Sequence, residues 1–162
     1  MAKQFFVVLS LLTLMSVFGA DGSHLDAIYR TAILEGGRFK EVRSARDLPR
    51  EIRIRCFNNL EVADPNEHWN STDAVSDPNA PFSHLAWAVT DGELWLVEWE
   101  LGGLAYAWGI TLFREKPGSS AEYIWGTKPG EPFSESPMKR VFPTRLKSFE
   151  EFQQHLRAGD NC

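Results

Sequence analysis

The sequence predicts an α+β domain: an antiparallel β-meander of about four or more strands, covered by an N-terminal and a C-terminal helix. Two patterns predict the helices. Apolar residues recur at helical spacing from Leu25 to Ile33, and Ser148 with Glu151 forms a capping box. A third predicts the sheet. Between His84 and Trp125, alternating segments are broken at Asp91-Gly92, Gly102-Gly103 and Pro117-Gly118.

In chain order, the first folded element is a helix over 23–36. Leu25, Ile28, Tyr29, Ala32 and Ile33 form its apolar stripe, Ser23 is its N-cap and Gly36-Gly37 ends it. A short strand at 38–43 turns Phe39 inward. Residues 47–60 fit two patterns. Leu48, Ile52, Cys56 and Leu60 make a helical stripe, whereas Ile52, Ile54 and Cys56 alternate as in a strand; helix is preferred, with Pro49 in its first turn. Residues 61–83 form a long polar loop with Pro65, Pro78 and Pro81.

The meander follows. His84–Thr90 places Leu85, Trp87 and Val89 on one face, and Asp91-Gly92 suits a type I′ hairpin turn. Glu93–Leu101 is the second strand. Leu104–Arg114 is the third, with Leu104, Tyr106, Trp108, Ile110 and Leu112 on one face. Glu122–Trp125 is the fourth. A proline-rich cover over 126–143 leads to the last helix, whose buried stripe is Phe149, Phe152 and Leu156 and whose end is Gly159.

Residues 1–20 read as a cleavable secretory signal, leaving 21–162 as a single globular domain. Lys3 supplies the positive end, Phe5–Phe18 the apolar run, and Gly19-Ala20 the small residues before a polar stretch. The run is too short for a comfortable membrane span. The expected location is secreted or periplasmic, with no membrane insertion after cleavage. In that oxidising setting, Cys56 and Cys162 are expected to pair in one disulfide, worth roughly 4 kcal/mol for a loop of that length. The formal net charge is −5, and the densest basic group (Arg43, Arg46, Arg50, Arg53, Arg55) is balanced by Glu41, Asp47 and Glu51. That excludes a general field for nucleic acid, and no nucleic-acid partner is expected.

Chemistry concentrates in two places. Five tryptophans lie on or beside the strands. On the second strand Trp95, Val97 and Trp99 share one face, and Leu96, Glu98 and Glu100 the other. Trp69, Trp95, Trp99 and Trp108, with Asp73 and the Gly102-Gly103 turn, form the expected binding surface, although strand tryptophans also serve as core. Glu98 and Glu100 are the catalytic candidates, because paired carboxylates on one strand face can approach glycosidase spacing. Asp64, Asn66, Glu67, His68, Asp73 and Asp77 offer hard oxygen ligands, but the EF-hand pattern fails and His24, His68, His84 and His155 lack metal spacing. No metal and no cofactor are expected. Asn70-Ser71-Thr72 is a glycosylation sequon.

One stretch resembles a known class. Ala63-Asp64-Pro65, then Asn70 with Thr72-Asp73, then a proline, then Trp95-Leu96-Val97 with Glu98 or Glu100 and Gly102-Gly103, resembles small exported bacterial proteins of no assigned activity. The resemblance implies a bacterial exported domain and no catalytic residues. By analogy in size and export, the chain is also similar to periplasmic immunity or inhibitor proteins. The expected function is therefore an exported, non-catalytic binding protein, an inhibitor or immunity-type partner of another protein. The alternatives are a module that binds carbohydrate or cell-envelope peptidoglycan, and a small hydrolase using Glu98 and Glu100.

Overall fold

The computed structural model describes residues 24–35, 37–116, 118–128 and 145–159. The expected signal at 1–20, the Ser23 cap, Gly36, the stretch 129–144 and Cys162 lie outside the described residues. Among the described residues the architecture is α+β, a six-stranded sheet with three α-helices. They are α1 (Ala27–Leu34), β1 (Lys40–Val42), α2 (Arg50–Phe57), β2 (Val62–Ala63), β3 (Ser83–Thr90), β4 (Leu94–Leu101), β5 (Ala107–Arg114), β6 (Glu122–Gly126) and α3 (Phe149–Ala158). The strand order is β1-β3-β4-β5-β6, antiparallel throughout, and β2 pairs in parallel with the start of β3.

Alternation along β4 divides the core between the two sheet faces. Leu94 and Leu96 join Trp87, Val89, Trp108, Ile110, Leu112 and Trp125, and this face packs against Leu25, Ile33, Leu146, Phe152 and Leu156. Val97 and Trp99 join Leu85 and Phe113 on the other face, packed against Leu48, Ile52, Cys56 and Phe57. Helices on one face alone were expected; α2 covers the second, because its stripe of Ile52, Cys56 and Phe57 is buried there. A 3₁₀ turn at Ala45–Asp47 precedes α2, and Asn58 in the left-handed region ends it before Leu60, which is exposed.

Three local expectations change. Leu85 does not share a face with Trp87 and Val89, because the β3–β4 register shifts between Leu85 and Trp87. One extra residue reverses every side chain beyond it. The hairpin loop is Gly92-Glu93, not Asp91-Gly92: Thr90 pairs with Trp95, and Asp91 N–H donates to Leu94 O at 3.3 Å. A type I′ turn needs positive φ at both central residues, and here only Gly92 has it, at 99°. The Asp91 carboxylate completes the turn by accepting from Glu93 and Leu94 N–H at 3.0 and 2.7 Å. Finally, Leu101 pairs with Ala107, so Leu104 and Tyr106 belong to a loop and not to the third strand.

The helix ends follow side-chain chemistry. Asp26 caps α1 by accepting from Ile28 N–H at 3.0 Å, and Ile28, expected in the apolar stripe, is exposed. At α3, Ser148 Oγ accepts from Glu151 N–H at 3.3 Å, and the Glu151 carboxylate accepts from Lys147 N–H at 2.5 Å. Ser148→Ala is expected to cost about 1 kcal/mol in urea unfolding. An unchanged midpoint would mean that the cap contributes nothing.

The Cys56–Cys162 bridge is not formed among the described residues. Cys56 is a free thiol enclosed in the second core cluster, and burial pushes its ionisation well above the usual thiol range.

Candidate functional site

Glu98 and Glu100 do share one face of β4, as strand alternation requires. Their surroundings differ from the expected open strand, because both are 0% exposed. The register sets Glu100 between His84 on β3 and Trp108 on β5, and Glu98 between Trp87 and Ile110.

Glu100 is a hub. His84 Nδ1 lies 2.6 Å from Oε2, and Arg145 Nη1 donates to Oε1 at 2.7 Å. The Tyr106 hydroxyl donates to the same Oε1. Burial alone would raise the Glu100 pKa. The hydrogen bonds from His84 and Tyr106, with the charge on Arg145, outweigh it and hold the carboxyl below its ordinary value. Tyr106 is pushed upward by burial and by its bond to the Glu100 carboxylate.

Glu98 is the opposite case. Among the described residues neither of its oxygens makes a well-formed hydrogen bond, the Trp87 indole lending only weak support, and Arg145 Nε stands 3.9 Å from Oε1. Burial pushes its pKa to about 9; Arg145 pulls it down in part, and Glu100 pushes it up further. At neutral pH one carboxyl of the pair is therefore a neutral acid and its neighbour an anion paired with Arg145. Arg145 is itself anchored through the next residue. Trp87 Nε1 donates to Leu146 O at 3.2 Å, and the Leu146 side chain is buried in the first core cluster.

A cleft of about 390 Å³ opens over the hub, lined by Trp69, Ser71, Thr72, Glu100, Tyr106 and Arg145. Trp69 stacks on His84, with ring centroids 5.0 Å apart and planes 13° from parallel, and meets Tyr106 at 6.3 Å. Asn70 holds this wall in place. Its Nδ2 donates to Asp77 O and Ala80 O at 2.7 and 2.8 Å. Its Oδ1 accepts from Ser76 N–H, Ser76 Oγ and Asp77 N–H at 3.1 to 3.3 Å. Gly102 packs against the Asn70 backbone so closely that a Cβ there would lie 2.0 Å from Asn70 O. Thus Asn70 and Gly102, some thirty residues apart in the chain, meet at the cleft wall. Asp64 serves another junction, accepting from Ala45 N–H at 2.6 Å.

Of the expected binding residues, Trp69 lines the cleft and Gly102 supports it. Gly103 takes a φ of 107° in the turn, and Asp73 is exposed on the loop outside the cleft lining. Trp99 is core on the opposite face, where its Nε1 donates to Thr111 Oγ1 at 3.0 Å, and Trp95 packs half-buried against the same cluster. Trp108 is buried in the first cluster. The strand tryptophans therefore form no exposed platform. Sequence reasoning missed His84, Tyr106 and Arg145 as site residues. Tyr106 had been assigned to a strand, Arg145 sits far along the chain, and the β3 register shift hides the pairing of His84 with Glu100. Among the described residues, no three His, Cys, Asp or Glu side chains gather as a metal ion would require. No helix among them is long and apolar enough to cross a membrane.

Comparison with protein-family models, curated proteins and solved structures finds no match to this chain.

Proposed function

We propose that the chain is an exported, non-catalytic binding protein that holds another protein, as an inhibitor or immunity-type partner does, at the Trp69–Tyr106–Arg145 cleft and the adjoining 102–106 loop. The observation that carries this reading is Leu104. It is 96% exposed at the loop tip, two residues from Tyr106, which is 47% exposed and lines the cleft. A large apolar side chain held in water beside a braced polar cleft is what an interface anchor requires. Phe82, also exposed, has its carbonyl bound to Gly102 N–H at 2.7 Å and so adds apolar surface next to the loop.

Binding is favoured over hydrolysis on chemical grounds. Glu100 already accepts from three donors, and Glu98 is sealed from solvent and does not line the cleft. Neither carboxyl is free to meet a substrate as an acid, a base or a nucleophile. The glycan-binding alternative loses Trp99, whose ring lies in the core, and keeps Trp95 only half-buried against the same cluster. Export rests on the pattern in residues 1–20.

The test is affinity capture from the producing organism, with wild-type mature domain and Leu104→Asp side by side. One protein recovered in stoichiometric amount by the wild type, and lost with Leu104→Asp at unchanged fold, is the expected result. Equal capture by both, or none by either, would remove the reading.

A further inference from the structure

We infer that the cleft is a carboxylate-binding notch anchored by Arg145, and that the partner enters it with an Asp or Glu side chain. This rests on the protein-binding reading above and adds the chemistry of the contact.

A guanidinium carries five N–H groups in a planar fork, shaped for bidentate contact with a carboxylate. Among the described residues, Arg145 gives Nη1 to Glu100, meets the Tyr106 hydroxyl, and sets its Nε 3.9 Å from the nearest Glu98 oxygen. The side chain is nevertheless 43% exposed and lines the opening. It is thus held from behind, and its five donors exceed the partners found for it among the described residues. Such fixation lowers the entropy lost when a ligand orders the side chain.

The rest of the lining agrees. Ser71 and Thr72 bring two hydroxyls to the rim, and both residues are exposed. Trp69 and Tyr106 supply walls for the methylene stem of an acidic side chain. The charge balance also permits an anion. Were both glutamates ionised beside one arginine, the cluster would carry net negative charge and repel a carboxylate. Glu98 keeps its proton at neutral pH, so the pair of Arg145 and Glu100 is neutral overall. The remaining negative charge is 0% exposed beneath the notch, while the cation faces the opening. An acidic side chain of a protein is favoured over an acidic sugar because Leu104, an exposed apolar residue two positions from Tyr106 of the cleft wall, offers a second contact that suits a protein surface.

The experiment titrates ¹⁵N-labelled domain with three probes: N-acetylglutamic acid α-amide, its glutamine counterpart, and glucuronate. The Arg145 Nε–H and Trp69 indole signals are followed. The expected result is shifts with the glutamic acid probe at millimolar concentration and none with the glutamine probe. Affinity should fall at least tenfold in Arg145→Gln and several-fold in Arg145→Lys, which keeps the charge but loses the fork. If Arg145→Gln fails to fold, Arg145→Lys carries the comparison. Equal response to the acid and amide probes, or unchanged binding in Arg145→Lys, would overturn the notch. Response to glucuronate alone would overturn the choice of a protein side chain. If Leu104→Asp abolishes partner capture while no carboxylate binds, this inference fails and the protein-binding reading survives. Carboxylate binding with no captured protein would keep the notch and overturn both the protein-binding reading and the choice of a protein side chain.

Discussion

Glu98→Gln is expected to remove most of the loss of stability that the wild-type domain suffers as pH rises from 4.5 towards 9. In the unfolded chain Glu98 ionises near its ordinary value of 4.5, whereas in the folded protein it holds its proton to about 9. Between those values the folded state binds one more proton than the unfolded state. Stability therefore falls with rising pH, by about 1.4 kcal/mol per unit, and its full value is present only below pH 4.5. Across the window the loss is on the order of 5 kcal/mol. Glu100 acts in the other direction and in another range. Its folded pKa lies below 4.5, so its contribution is present above that pH and is lost under more acidic conditions. Glutamine matches the shape of protonated Glu98 and cannot ionise. Urea unfolding of both proteins from pH 4.5 to 9 reads the difference directly. A wild-type midpoint that does not fall, or falls equally in Glu98→Gln, would mean that the buried acid is not protonated as the geometry requires.

Gly102→Ala is the second large effect. Its Cβ would lie 2.0 Å from the Asn70 carbonyl oxygen and 3.0 Å from two backbone carbons, so no side-chain rotation relieves the clash. Overpacking of core side chains usually costs about 1–3 kcal/mol, and a backbone-to-backbone collision belongs at or above the top of that range. The damage is expected to be directional. Moving Asn70 strains five side-chain hydrogen bonds to residues 76–80, and Trp69 is its neighbour in the chain. We expect a loss of about 3 kcal/mol or more in urea unfolding. Faster amide exchange across residues 69–80 should accompany it, while the β5–β6 amides stay protected. A uniform loss of protection, or none, would separate Gly102 from the cleft wall.

What could be read from the sequence follows from periodicity. The two faces of β4 and the α2 stripe through Ile52 and Cys56 were legible because burial repeats along the chain at a fixed interval, and the cap of α3 because its residue types are specific. The β3 irregularity was not. A single extra residue near Ala86 has no composition signature, yet it decides which face Leu85 occupies and which residue lies opposite Glu100. The glutamates themselves were found, but their condition was not. Whether E-x-E on a strand is solvated or sealed depends on what covers it, and Arg145 and Leu146 arrive from far along the chain. The tryptophans misled for a related reason. Strand alternation gives the side of a ring and says nothing of the helix that closes over it; α2 placed Trp99 in the core.

The two amide hydrogens of Asn70 have a consequence for how this protein can be produced. Both are committed to backbone carbonyls, at Asp77 and Ala80. Attachment of an oligosaccharide replaces one of them with a carbon bond at the same nitrogen. In a eukaryotic secretory pathway, Asn70-Ser71-Thr72 would meet the transferring enzyme while still unfolded, and the modified chain would then lack a donor and carry a bulky group where it must close. A host without that enzyme leaves the asparagine free to build the cleft wall. Choice of expression host therefore selects between a chain that can complete this loop and one that cannot.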